Sequence, residues 1–168
     1  LKHKYFFSAN LAVDGSSRFG DEISNALNIG GSKYAVLPSV AAGWLISSEE
    51  FLSGIKNIDL LKLRASYGLT GNDDIGNYNV KSYYVSQNLL GAQGLVLNNM
   101  ANPQLQWEVS KKTNVGLDAA FFNERLSLTV DAYHNVTSKM LLYNPLSTEV
   151  VLDYVLSNNV GMQTNGID

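Results

Sequence analysis

The feature that most narrows the folds open to this sequence is an alternation of apolar and polar side chains held for longer than a soluble strand needs. Over residues 3–14, Tyr5, Phe7, Ala9, Leu11 and Val13 fall on one face, with Ser8, Asn10 and Asp14 on the other; Phe6 and Ala12 blur the second face. Over 33–47, Tyr34, Val36, Val40, Ala42, Trp44 and Ile46 oppose Lys33, Ser39, Gly43 and Ser47, and Pro38, which cannot donate to a ladder, predicts a bulge or break. The cleanest run is 59–70, where Leu61, Leu63, Ala65, Tyr67 and Leu69 alternate with Lys62, Arg64, Ser66, Gly68 and Thr70. Residues 106–122 set Trp107, Val109, Val115, Leu117, Ala119 and Phe121 against Glu108, Ser110, Lys112, Asn114 and Asp118. Residues 125–137 set Leu126, Leu128, Val130, Ala132 and Val136 against Arg125, Ser127, Thr129, Asp131, Asn135 and Thr137, with His134 at the far end of the apolar set.

Strands of about 12 to 17 residues exceed the 5 to 6 of a typical globular strand and the roughly 9 to 11 that cross a bilayer at a tilt. From Trp107 to Phe121 the chain would cover roughly 46 Å, or about 33 Å of height at a tilt near 45°. Trp107 at one end and Phe121 with Phe122 at the other are therefore expected as interfacial girdle aromatics. The connections alternate long and short, as in outer-membrane barrels. Long stretches occupy 15–32, which is rich in Gly, Ser and Asn, 71–105 and 138–160; 48–58 is of medium length, with one helical turn around Glu49-Glu50-Phe51-Leu52; Asn123-Glu124 alone makes a two-residue hairpin turn. A structureless connection over 71–105 would be out of place in a compact domain and ordinary outside a large barrel. The fold class expected is all-β, a long antiparallel meander forming part of a large transmembrane β-barrel. The rival is a soluble β-sandwich, such as a carbohydrate-binding module, which would bury the same apolar face beneath a second sheet.

Composition removes several other classes. Net charge is −3, with 12 Lys and Arg scattered among 15 Asp and Glu, so no basic stripe is available for nucleic acid. The absence of Cys removes disulfides, thiolate metal sites and a thiol nucleophile together. No apolar run is long enough for a spanning helix, which excludes helical insertion and does not exclude a membrane β-barrel. There is no Gly-x-Ser-x-Gly elbow and no phosphate loop, and an enzyme is not expected. The chain opens on Leu1 with no basic segment leading into an apolar one, so an internal stretch of a longer protein is expected.

The local wording then resembles one family. Asp14-Gly15-Ser16-Ser17-Arg18-Phe19-Gly20, Leu37-Pro38-Ser39-Val40-Ala41-Ala42-Gly43-Trp44 and Leu61-Lys62-Leu63-Arg64-Ala65-Ser66-Tyr67-Gly68-Leu69-Thr70-Gly71-Asn72 are similar, in order and spacing, to the SusC/RagA family of TonB-dependent outer-membrane transporters. Asn102-Pro103-Gln104-Leu105-Gln106-Trp107-Glu108, Thr113-Asn114-Val115-Gly116-Leu117-Asp118, Phe122-Asn123-Glu124-Arg125-Leu126 and Asn159-Val160-Gly161 with Asn165-Gly166-Ile167 resemble its later barrel strands. The resemblance covers nearly the whole chain and is poorest over 80–100. It implies that residues 1–168 are part of a TonB-dependent receptor β-barrel domain, with the plug domain and the remaining strands elsewhere. It also implies a place in the bacterial outer membrane and the import of oligosaccharides or peptides, with no cofactor. The partners it implies are the rest of the barrel and its plug, a TonB complex acting through that plug, a SusD-like surface lipoprotein and the lipid bilayer.

Within that reading Lys62, Arg64, Glu108, Lys112 and Asp118 are expected to face the lumen, pairing with one another or with the plug. Tyr78, Tyr83 and Tyr84 are the loop aromatics expected to stack on ligand, since an aromatic face suits the C–H patches of a sugar ring. Asp73-Asp74 fits a turn better than a Ca²⁺ loop. His3 and His134 lie far apart without carboxylates at metal spacing, so no metal site is expected.

Overall fold

The computed structural model describes residues 4–19, 27–29, 32–52, 54–55, 57–147, 152 and 154–168. Strands β1 (Tyr5–Gly15), β2 (Leu27–Ile29), β3 (Ser32–Leu45), β4 (Ile58–Asn72), β7 (Glu108–Phe121), β8 (Leu126–Pro145) and β9 (Tyr154–Ile167) form one seven-stranded sheet. Its order is β1-β3-β4-β7-β8-β9 with β2 on β3, and every pairing is antiparallel. Strands β5 (Tyr83–Leu89) and β6 (Ala92–Asn99) make a separate two-stranded sheet. The expected helical turn is present as two short 3₁₀ segments, Ile46–Ser48 and Glu50–Leu52.

Alternation and register together give the sheet two unlike faces. Phe7, Ala42, Ala65, Val115, Ala132 and Ile167 form one continuous cross-strand row. The apolar residues of the five sequence runs that lie within these strands share its face. Ser8, Asn10, Arg64, Ser66, Asn114, Asp118 and Asp131 occupy the opposite one. The apolar face is open: Phe7 is 77% exposed and Leu128 53%, while Leu63 and Leu117 are more than a third exposed. A sandwich would seal these side chains under a second sheet, and among the described residues no such layer covers them.

Burial is concentrated at one end of the sheet. There Phe19, Ala35, Leu37, Ile75, Val80, Leu105, Trp107 and Leu156 pack into a cluster in which Leu105 is fully buried. The ladder between β3 and β4 runs only from Leu45↔Lys62 to Ser39↔Gly68, so the two strands part beyond Pro38. Pro38 itself stays in unbroken register with Leu11 of β1, so the expected break takes the form of a ladder that ends on the β4 side. A Cβ on Gly71 would meet Trp107 at 3.0 Å and Leu37 at 3.2 Å, which shows these side chains converging beside the parted strands.

Several expectations need correction. Trp107 is not a girdle residue: it lies just before β7, is 8% exposed, and packs on Phe19 with ring centroids 5.4 Å apart. The stretch 71–105 is not structureless, because it contains the β5–β6 hairpin. That hairpin turns on Leu90 and Gly91, both at positive φ, and Leu-Gly is a weak signal for such a turn. The connection between β7 and β8 spans 122–125, not two residues: Phe121 pairs with Leu126, and Phe122, Asn123 and Glu124 all have positive φ. Phe122 N donates to Asn57 O at 3.2 Å and Glu124 N to Asp59 Oδ2 at 3.0 Å, so the start of β4 supplies acceptors for this turn. Finally, β8 continues to Pro145 through an irregularity near Lys139 (φ 58), and β9 starts at Tyr154, so much of 138–160 is strand.

Candidate functional site

The polar face carries the charged residues, and their spacing follows from register. Lys62 stands directly opposite Asp118, yet the carboxylate is taken diagonally by Arg64. Arg64 Nε donates to Asp118 Oδ2 at 2.8 Å and Nη2 to Oδ1 at 3.0 Å, a two-point contact that suits the planar guanidinium. Nη2 also donates to Asp131 Oδ2 at 3.0 Å, so one cation bridges carboxylates on two successive strands. Gly116 makes this possible, because a Cβ there would collide with the Asp131 carboxylate and the Arg64 guanidinium. Lys62 instead holds its ammonium 5.7 Å from the centroid of the Phe6 ring.

The other two expected lumen residues share this face but not this cluster. Lys112 is exposed in the row of Gly68 and Asn135, and Glu108 stands opposite Asn72 at the distal end, where Oε2 accepts from Leu141 N at 3.1 Å. Asp131, the second anchor of Arg64, was not singled out from sequence. Its place on the polar face was legible, but only the register shows that it falls within reach of Arg64.

The three tyrosines are separated in role. Tyr78 sits in a turn at φ 66 and is 70% exposed. Tyr83 and Tyr84 are neighbours in β5 at a register shift of the hairpin. The Tyr83 hydroxyl accepts from Asn98 Nδ2 at 2.6 Å, whereas Tyr84 is 65% exposed and pairs across the hairpin with Leu97. No single platform unites all three. The hairpin is tied at its base, where Asn99 Nδ2 donates to the carbonyls of Asn79 and Lys81, both at 3.0 Å.

Around the hairpin the connections are fixed to one another. Arg18 Nη1 donates to Asp73 O at 3.1 Å, and Asn72 Oδ1 accepts from Asp74 N at 3.0 Å, which makes Asp73-Asp74 part of a turn. Asn158 imitates a strand neighbour: its side chain accepts from Gln106 N and donates to Gln106 O, each at 2.9 Å, and to Lys139 O at 2.7 Å. At the opposite end Glu49 accepts from Lys4 Nζ at 2.9 Å, Tyr5 OH at 2.8 Å and Trp44 Nε1 at 3.1 Å. The Lys4 hydrogen bond, with those of Trp44 and Tyr5, lowers the Glu49 carboxyl to about 2. His134 Nδ1 lies 2.5 Å from Asn165 Oδ1 on the apolar face, and His3 falls outside the described residues.

These features agree with what the chain is similar to. The sequence model of the family described as TonB dependent receptor-like, beta-barrel matches residues 2–168. TonB-dependent receptor P39 of Formosa agariphila is 34% identical over 98% of this chain, and TonB-dependent receptor SusC of Bacteroides thetaiotaomicron is 28% identical over 98%. The chain spans 15% and 16% of their respective lengths. The solved structure of the RagAB peptide transporter superposes with a TM-score of 0.83 at 32% identity, over 98% of this chain and 17% of that one. Matched over nearly its whole length, this chain belongs to the TonB-dependent receptor-like β-barrel family, on its SusC/RagA side, and its sheet is a stretch of the wall of a large barrel in the bacterial outer membrane.

Proposed function

We propose that the chain serves as barrel wall and extracellular loops of a TonB-dependent importer of oligosaccharides or peptides, with no catalytic step of its own. In this reading residues 1–168 are one part of the barrel domain. The apolar face meets lipid, and the face carrying Lys62, Arg64, Glu108, Lys112 and Asp118 lines the lumen against a plug domain in the rest of the protein.

The observation that carries the proposal is the outline of the apolar face. The uninterrupted apolar set runs on β1 from Tyr5 to Val13 and on β3 from Trp44 to Val36, but on β7 from Phe121 to Val115 and on β8 from Leu126 to Ala132, with Val109 and Val136 standing apart beyond polar positions. Measured against the row through Phe7, Ala42, Ala65, Val115 and Ala132, the upper edge falls by about six residues and the lower edge by about four between β1 and β8. At about 3.3 Å per residue and about 4.8 Å per strand, those shifts of roughly 13 to 20 Å over about 19 Å of sheet give a slope of about 35–45°. Strands of membrane barrels tilt by about 35–45° from the bilayer normal. The apolar area is thus a level belt crossed by tilted strands, with the thickness direction set by lipid.

The paired proteins follow from the family: a plug, the TonB complex that acts through it, and a SusD-like lipoprotein over the loops. RagAB, a relative, is a peptide transporter, and exposed Tyr78 and Tyr84 supply aromatic surface suited to either sugar rings or peptide side chains. The test is uptake by cells carrying the full-length gene, with and without TonB, supplied in turn with oligosaccharide and peptide mixtures. TonB-dependent uptake of one class, weakened by Tyr78→Ala with Tyr84→Ala, is the expected result. Uptake indifferent to TonB, or no uptake of either class from cells with the barrel in their outer membrane, would overturn the proposal.

A further inference from the structure

We infer that the outward corner of β7, β8 and β9 is a site for the anionic phosphate of an outer-leaflet lipid headgroup, held by Lys111 and His134 with help from Asn165 and Gln163. The inference rests on the bilayer-facing reading above and goes beyond it by assigning a particular ligand chemistry to one patch.

On β7, β8 and β9 the apolar face turns polar above the belt. Thr113, His134 and Asn165 follow one another in a cross-strand row, and Lys111, Val136 and Gln163 form the next row up. On β1 and β3 the row of Thr113 and His134 holds Ala9 with Val40, so along this row the face turns polar at this corner, where the row passes the belt's upper edge. Lys111, His134, Gln163 and Asn165 are all exposed.

Depth matches headgroups. Lys111 lies four residues beyond Val115, the last apolar residue of the belt on β7, which is about 13 Å along the strand and about 9 Å of height at a 45° tilt. His134 lies about half as far out. The polar layer of a leaflet is about 5–8 Å thick, and the four-carbon stem of a lysine can reach back into it.

Charge and donor geometry choose an anion. The carboxylates of β7 and β8, Glu108, Asp118 and Asp131, stand on the opposite face, two of them on Arg64, so none shares the corner with Lys111. His134 Nδ1 is engaged by Asn165 Oδ1, which leaves Nε2 as the ring nitrogen open to a ligand. Lys111 and the carboxamides of Gln163 and Asn165 therefore supply donors on two adjacent rows at the belt's upper rim, and the imidazole adds one through Nε2 when the ring is the cation. A tetrahedral phosphate with several acceptor oxygens and a diacyl body below it satisfies both the donors and the adjoining apolar surface.

The test uses the full-length barrel in an uncharged detergent, titrated with phosphorylated lipid A, the same lipid stripped of its phosphates, and inorganic phosphate, with bound lipid counted by native mass spectrometry. The expected result is retention of phosphorylated lipid A, about fivefold or more weaker in Lys111→Gln with His134→Gln. Lys112→Gln, the sequence neighbour on the opposite face, is expected to bind as wild type. Equal retention of the stripped lipid, an unaffected double variant, an equal loss in Lys112→Gln, or displacement by inorganic phosphate at lipid-like concentrations would each overturn the inference. Failure of the wild-type barrel to enter bilayers at all would instead strike the lipid-facing reading beneath it, so the two failures are distinguishable.

Discussion

Ala9 and Thr113 lie in the same cross-strand row, Ala9–Val40–Tyr67–Thr113, and a row is perpendicular to the strands. If the apolar belt lay parallel to the rows, the two positions would sit at equal depth. On the oblique belt they do not: Ala9 is midway between Tyr5 and Val13, about 9 Å of height from either edge, whereas Thr113 is the first residue beyond Val115 on its face. An arginine on the lipid face costs about 2–4 kcal/mol at the bilayer midplane and about 0–1 kcal/mol near the interface. Ala9→Arg should therefore destabilise the full-length barrel by about 2 to 3 kcal/mol more than Thr113→Arg. Ala9→Gln and Thr113→Gln separate the charge from the added bulk. The assay is reversible denaturant unfolding of the barrel folded into liposomes, followed by tryptophan fluorescence. Costs for the two arginines within about 0.5 kcal/mol of each other, or a larger cost at Thr113, would refute the oblique belt and with it the lipid-facing assignment.

Three further outcomes follow from other parts of the sheet. Glu49 titrates near 2 in the folded protein against an ordinary value of 4.5, so its contribution to stability is complete above pH 4.5 and is lost as pH falls toward 2. Glu49→Gln should flatten the unfolding midpoint across that interval, and an unchanged pH profile would count against the three-donor clasp. Leu105→Ala, at a fully buried position, should cost the distal cluster about 2–5 kcal/mol and raise amide exchange in residues 73–82, while β4 and β7 keep their protection. Gly116→Ala should push Arg64 off Asp131 at a cost under about 1 kcal/mol, since Arg64 is partly exposed. That cost should largely vanish in an Asp131→Asn background, and additive effects would refute the coupling.

Alternation in the amino-acid sequence determined which face of β1, β3, β4, β7 and the first half of β8 is apolar, because a period of two fixes each side chain's side before any partner is known. It also put Lys62, Arg64, Lys112, Glu108 and Asp118 on one face. It did not reveal β5, β6 or β9. Neither strand of the hairpin is laid on a core, and β9 carries Asn158, Asn159, Gln163 and Asn165, so nothing forces an alternating pattern on them. Trp107 read as a boundary residue because its parity matched the apolar face, and only the parting of β3 and β4 beyond Pro38 opened the space that buries it. Register was the other tertiary decision. Whether Arg64 reaches Asp131 as well as Asp118, and whether the apolar runs align level or obliquely, depends on how far each strand is slid along its neighbour. Sliding by two residues leaves every face unchanged, so the alternation of a single strand carries no information about it, and only the assembled sheet fixes it.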